Sequence, residues 1–312
     1  MAVSSSNNFS QTRNEIINLA YSVIGIKTPH RALTAEEVNE ASTVLNAMIK
    51  SWKARGENLW KSAEGTLFLT TNQERYRLDG TTANATESFN QTTTTVATSS
   101  GATSLTVASA TGFTIGFNIG ILQDNGTTHW TTITNIAGLV ITINSVLTDD
   151  VASGNKVYVY ETKIARPERI SSCRLKTAGG SESPLGMISR QIYFDLSNKS
   201  NSGKPTQAFH DKQLSYGDLY IYPTSDLETD TIKFTFQKMF FDFDTAADDP
   251  DFPTEWIKPI YMQLAVDLAR IKQKDLQYRQ LLKAEADEIL AEVEGYDQET
   301  TSIFVQPNVE DY

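Results

Sequence analysis

Apolar residues recur at steps of three and four between Thr34 and Arg55, where Val38, Ala41, Leu45, Met48, Ile49 and Trp52 fall on one stripe of an α-helix. Thr34 with Glu37 three positions on forms a capping box that marks the start, and Gly56 stands where a helix closes. The opposite face carries Glu36, Asn39, Glu40, Asn46, Lys50 and Lys53, a pattern that fits a solvated face or a contact with a neighbouring subunit. A first helix over residues 11–24 sets Ile16, Ile17, Ala20, Val23 and Ile24 on one side and ends at Gly25, before Thr28-Pro29. The short turn between the two predicts an antiparallel helical hairpin, packed stripe to stripe.

From Gly65 the texture changes to strands. GTLFLTTNQERYRL reads as a β-hairpin with Leu67, Leu69, Tyr76 and Leu78 inward, closed by the turn signal Asp79-Gly80. Residues 81–104 are mostly Thr, Ser, Ala and Asn. Short β-type segments follow (SLTV, FNIGILQ, HWTTIT, LVITIN and KVYVYE), punctuated by Asn125-Gly126, Ala137-Gly138 and Ser153-Gly154-Asn155. About six strands in so short a span predict a self-contained β-barrel or sandwich over residues 87–162, inserted into a parent domain made of 11–86 and 163–296. Within that parent domain, IARPERISSCRL, QAFHD, GDLYIYP and DTIKFTFQKMFF are further β-type runs, and MISRQIYFDL is a short helix or a strand.

The last quarter returns to helical spacing. Pro253 stands at a helix start, and Ile257, Ile260, Tyr261, Leu264, Leu268 and Ile271 make one stripe. Pro259 predicts a later start or a kink. The stripe Leu281, Leu282, Ala286, Ile289 and Val293 is out of register with the first, which predicts a break at 272–277. Residues 1–10 read as a disordered N-terminus, and residues 297–312 as an extended tail whose Ile303, Phe304 and Val305 precede Pro307. The expected fold class is α+β: an α-helical bundle with a small antiparallel β part, plus the inserted all-β barrel or sandwich.

Composition narrows the function. The 312 residues are 39% hydrophobic and 21% charged, and the mean hydropathy of -0.33 describes a polar-surfaced globular protein. No apolar run is long enough for a membrane anchor, and the N-terminus carries no secretory pattern. A net charge of -11 argues against a protein that grips nucleic acid by its phosphates, while leaving room for one that lets DNA pass. The one cysteine, Cys173, rules out an internal disulfide or a cysteine metal cluster and reads as a small buried apolar residue.

Chemistry-bearing patterns are sparse. His30, His129 and His210 have no metal-ligand spacing, and nucleophile-elbow, P-loop and dinucleotide fingerprints are missing. The acidic run FDFDTAADDPD holds Asp242, Asp244, Asp248, Asp249 and Asp251, but Ala247 stands where a calcium loop needs glycine, so a solvated acidic loop is the plainer reading. A pair of these carboxylates would also fit a glycosidase scheme if their separation allowed it. Trp130 and Tyr160 fit either sugar stacking or a small core. No catalytic residue, metal ligand or cofactor is assigned.

Six segments in a fixed order resemble the podovirus head-to-tail adaptor family, the gp4-like tail accessory factors. They are ALTAEEVNEASTVLNAMIKSWKARG with its Leu45-Asn46 and Trp52…Gly56, ARPERI at 165–170, GKPTQAF at 203–209, DLYIYP at 218–223, and DFPTEWIKPIYMQLAVDLA at 251–269, after the first helix. The resemblance implies a non-enzymatic virion protein, made in the host cytoplasm and placed at the head–tail junction. About twelve copies would form a ring under the portal, extend the channel through which DNA passes without sequence-specific binding, and carry the tail tube, nozzle or fibre proteins. It further implies that Ile303, Phe304, Val305 and Pro307 dock on the portal, and it makes Glu36, Glu40, Lys50 and Lys53 candidate ring contacts. The alternatives are a carboxylate-dependent cell-wall-degrading tail component and a receptor-binding tail protein.

Overall fold

The computed structural model describes residues 9–52 and 59–296. The chain divides into a helical unit, built from the residues up to Lys61 and those from Phe240 onward, and a β unit, Ser62–Met239, inserted between them in sequence. The helices are α1 (Arg13–Val23), α2 (Ala35–Trp52), α3 (Arg190–Asp195), α4 (Ile257–Ile271) and α5 (Leu276–Tyr296), of which α3 lies in the β unit.

In the helical unit each start is fixed locally. Thr12 and Glu15 cap α1 reciprocally, and at α2 the Thr34 amide donates to the Glu37 carboxylate at 3.0 Å while the Glu37 amide donates to Thr34 Oγ1 at 3.2 Å. The stripe Ala41, Leu45, Met48, Ile49 and Trp52 is buried, and joins Ile16, Ile17, Ala20 and Tyr21 of α1 in one core. The Leu, Ile and Met side chains contribute roughly 1.5–3 kcal/mol each when fully buried. The partner of both helices is α4, against which α1, α2 and α5 all pack; the expected hairpin is thus opened around a third, more apolar helix. Pro259 sits inside the first turn of α4, where its missing N–H leaves no bond unmade. The break falls at 272–275, with Gln273 in the left-handed region at φ 52°.

Beside this core, Trp52, Trp60, Phe240, Phe252 and Trp256 form an aromatic cluster, with Trp60 and Trp256 at 4.8 Å and Phe240 and Phe252 stacked at 4.9 Å between ring centroids. Lys61 is buried next to it, paired with Asp251 and 4.9 Å from the Phe240 ring centroid. The cation is held by a carboxylate and an aromatic face in place of water.

The β unit opens with β1 (Ser62–Phe68), β2 (Arg75–Leu78) and β3 (Ala85–Thr86). There follow β4 (Asn90–Thr93), β5 (Ser104–Thr106), β6 (Asn118–Leu122), β7 (Thr128–Ala137), β8 (Val140–Ile143) and β9 (Lys156–Tyr160), and then β10 (Arg169–Lys176), β11 (Glu182–Met187), β12 (Gln207–Lys212), β13 (Gly217–Tyr222) and β14 (Thr231–Gln237). The middle group makes a six-stranded sheet in the order β4-β9-β6-β7-β8-β5. It curls shut through the Thr94–Val107 bridge, where the Thr95 amide donates to Thr106 O at 2.9 Å and the Ala108 amide to Thr93 O at 2.8 Å. Its interior is aliphatic, with Ile119, Ile121, Ile141, Val157 and Val159 fully buried. The remaining strands form an eight-stranded sheet, β2-β13-β12-β11-β10-β14-β1-β3, antiparallel except between β11 and β12, around Leu67, Leu69, Leu219, Ile221, Ile232 and Phe234.

This sheet overturns the expected fold class. The chain is predominantly β, with two curled sheets, and is not a helical bundle carrying a small β part. Segments such as IARPERISSCRL and DTIKFTFQ, read as further β-type runs, join one large sheet whose partners are remote in sequence: β1 pairs with β14 from Ser62↔Gln237 to Phe68↔Thr231. The expected hairpin between β1 and β2 does not form either. The inward residues Leu67, Leu69, Tyr76 and Leu78 are all buried, but β2 pairs with β13 and stands at the opposite end of the strand order from β1 and β3. The uncertain run MISRQIYFDL resolves into the end of β11 and the short helix α3, capped by Ser189.

Asp251→Asn removes the carboxylate paired with the buried Lys61 ammonium, and the loss of a charge-assisted bond of this kind costs about 1.5–3 kcal/mol. Denaturant unfolding followed by Trp fluorescence is expected to shift to lower midpoint, with the change confined to the helical unit in hydrogen exchange.

Candidate functional site

The polar face of α2 is largely consumed within the helical unit. Glu40 accepts from Lys272 Nζ at 2.5 Å, and that bond raises the Lys272 amine above its ordinary pKa. Lys50 pairs with Asp242 at 2.6 Å and donates to Phe240 O at 2.8 Å. Between them, Asn46 Nδ2 donates to Phe243 O at 3.2 Å and its Oδ1 accepts from the Phe243 amide at 2.9 Å. This face therefore holds residues 240–243 in place. Glu36 is exposed. Lys53 and the tail residues Ile303, Phe304, Val305 and Pro307 lie outside the described residues.

The acidic run is spent the same way. Asp248 accepts from the amides of Asp244 at 2.7 Å and Thr245 at 2.6 Å and from the Thr245 hydroxyl at 2.5 Å; the Thr245 bonds hold its carboxyl below the usual range. With Asp242 on Lys50 and Asp251 on Lys61, three of these carboxylates have structural partners. Among the described residues no group of three His, Cys, Asp or Glu side chains is placed to hold a metal ion.

The histidines are dispersed. His30 is exposed, His129 Nε2 lies 3.0 Å from Ser145 Oγ, and His210 sits on β12 against Gly217. Burial, reinforced by Lys212, pulls the His210 pKa down to about 4, so its ring is neutral at pH 7.

Trp130 serves packing. A methyl group added to Gly120 would lie 2.4 Å from its ring, and Phe68 and Tyr160 lie against it with centroids at 4.9 and 5.8 Å. Phe68, the last residue of β1, thus meets Phe89, Trp130, Tyr158 and Tyr160 of the six-stranded barrel in one aromatic joint. Buried Glu228 completes it, accepting from the Thr71 amide at 3.0 Å and the Thr128 amide at 2.6 Å.

The feature with binding character is the seam where the eight-stranded sheet fails to close. A groove of about 400 Å³ runs along the free edge of β2, lined among others by Phe68, Thr70, Arg75, Arg77, Thr82 and Asn84. The Ile221 amide donates to Glu74 O at 3.0 Å, so alternate residues Tyr76 and Leu78 face β13 while Arg75 and Arg77 turn their main-chain groups to the seam. There Arg75 O accepts from Gln73 Nε2 at 2.8 Å and Arg77 O from the Ala83 amide at 3.0 Å. On the same face, Arg77 Nε donates to buried Asp218 at 3.3 Å, Arg75 Nη1 lies 3.9 Å from that carboxylate, and the Arg77 guanidinium covers the Tyr216 ring at 3.9 Å. The Tyr76 hydroxyl closes one end, accepting from the Thr70 amide at 2.9 Å and donating to Thr70 O at 3.1 Å. Next to the groove, burial opposes the Asp79 charge, but hydrogen bonds from both the hydroxyls and the amides of Thr82 and Thr81 overcome it and hold the carboxyl at about 2.

The sequence signal for this groove is the alternation Arg75-Tyr76-Arg77, which places two guanidiniums on one face of a strand. Asp218, their shared counter-charge, is remote in sequence and could not be linked to them.

Two outcomes follow. Glu228→Ala frees the Thr71 and Thr128 amides, and hydrogen exchange at both is expected to rise at least tenfold with the two sheets each still folded. Asp79 has a folded pKa below its unfolded value, so its contribution to the 79–82 turn is complete above about pH 4 and fades as pH falls toward 2; a carboxyl ¹³C titration is expected to show that low midpoint, moved part of the way toward the ordinary value when Thr82→Ala removes one of the four donors.

No family model and no curated protein matches the chain. Among solved structures, the tailspike of Acinetobacter baumannii bacteriophage AP22, in complex with A. baumannii capsular saccharide, aligns at 15% identity over 23% of this chain and 14% of the tailspike chain, with a TM-score of 0.21. A superposition of that extent establishes neither a shared fold nor a shared activity.

Proposed function

We propose that the chain is a non-enzymatic structural subunit of a tailed-phage virion, a head-to-tail adaptor that assembles as a ring under the portal and extends the DNA channel. The observation that supports this reading is spatial. The segments that carry the resemblance are remote in sequence yet partner one another: α2 packs on α4, with Trp52 and Trp256 at 5.7 Å, and GKPTQAF leads into β12, which pairs with DLYIYP of β13 from Gln207↔Tyr222 onward. These are two separate pairings, one within each unit.

In this reading the helical unit provides the ring and portal contacts, and the net charge of -11 suits a passage that does not retain DNA. The structural use of Asp242, Asp248 and Asp251 weighs against the carboxylate-dependent hydrolase. The seam groove favours a second reading, a tail protein whose β unit contacts a receptor.

Native mass spectrometry of the chain mixed with the portal of its own phage is expected to show a ring of about twelve copies on the portal. Glu36→Lys, at an exposed position, is expected to leave the monomer folded and weaken that ring several-fold. A stable monomer that never joins the portal defeats the adaptor reading, and peptidoglycan turnover by the purified chain defeats the non-enzymatic one.

A further inference from the structure

The seam of the eight-stranded sheet is unusual in what it offers a ligand. A bare strand edge presents alternating N–H and C=O groups and accepts another strand. Here both outward carbonyls of β2 are already taken, Arg75 O by Gln73 Nε2 and Arg77 O by the Ala83 amide. What remains along the edge is a row of donors: the Arg75 and Arg77 amides, the two guanidiniums, and Asn84 Nδ2, whose companion oxygen accepts from the Tyr160 hydroxyl at 2.8 Å. A peptide strand needs acceptors it would not find. A ligand rich in oxygen acceptors matches.

Charge points the same way. The lining carries two arginines and no carboxylate, and their single counter-ion, Asp218, reaches them from the sheet with only 4% of its side chain exposed. Two guanidiniums share that one ion-pair carboxylate, so the lining itself is cationic in a chain whose total is -11. Arg77 is immobilised on Tyr216 and Asp218, whereas Arg75, half-exposed and touching the Tyr220 hydroxyl, keeps further N–H groups for a fork-to-carboxylate contact. Thr70 flanks that position, and about 400 Å³ is room for one or two sugar rings.

We propose that this seam binds a carboxylate-bearing saccharide, with Arg75 and Arg77 on the carboxylate and the edge amides and Asn84 Nδ2 on the sugar oxygens. The site stands independently of the adaptor reading, since it lies wholly within the β unit and requires no ring.

The test is calorimetric titration of the full chain with short oligomers of galacturonate, glucuronate and mannuronate, their methyl-esterified forms, inorganic phosphate and an acidic peptide. At least one uronate is expected to bind, with its ester weaker by tenfold or more and the affinity falling as salt rises. Arg75→Gln is expected to lose at least tenfold in affinity, and Arg75→Lys, which keeps the charge without the fork, an intermediate amount, both with an unchanged circular dichroism spectrum. Amide resonances of Arg75 and Arg77 are expected to shift on titration. The proposal is overturned if no uronate binds, if acid and ester bind alike, if Arg75→Gln binds as wild type, or if phosphate or the peptide binds as tightly as the uronate.

Discussion

The pairing of β1 with β14 is the constraint on which the rest of the molecule depends. Seven consecutive positions, Ser62↔Gln237 to Phe68↔Thr231, join the two ends of the β unit. The ladder brings the incoming and outgoing chain side by side, so that the helices before and after it meet in one core. It also closes most of the eight-stranded sheet, because β14 carries β10 on its other side and β1 carries β3. At its far end stands Phe68, around which the aromatic joint with the six-stranded barrel is built. One long-range ladder thus sets the chain topology, the sheet's curl and the attachment of the second sheet.

That ladder is also why the sequence was informative in some places and mute in others. Helix information is local. The stripe of α2, its Thr34–Glu37 cap and the break after Ile271 are all written within a few residues, and each appears in the structure. The inward character of Leu67, Leu69, Tyr76 and Leu78 was legible for the same reason, through alternation. Strand partnership is not local. Nothing in GTLFLTTNQERYRL shows that its two halves lie at opposite ends of one sheet, because the pattern of a hairpin and that of two seam strands are identical.

The candidate sites divide along the same line. The polar face of α2 was visible as polar, but its use was not: Lys50 and Asn46 are occupied by a segment nearly two hundred residues away. Acidic residues that looked like free carboxylates are turn and ion-pair residues for that reason. Arg75 and Arg77 alternate in the sequence but were not singled out there, because their meaning comes from Asp218, Tyr216 and the groups that cap their carbonyls.

The treatment of strand edges has a consequence at high protein concentration. The six-stranded sheet meets itself at Thr94 and Val107. On the larger sheet, the outward carbonyls of β2 are occupied, and β3 is only two residues long, with Ala85 O taken by the Ile164 amide at 2.8 Å. No long bare edge is therefore presented by either sheet among the described residues. Crowded chains cannot add to one another strand by strand, the route by which concentrated β proteins aggregate. A Thr-rich, β-dominated chain can in this way reach high local concentration while keeping its sheets from fusing with those of its neighbours.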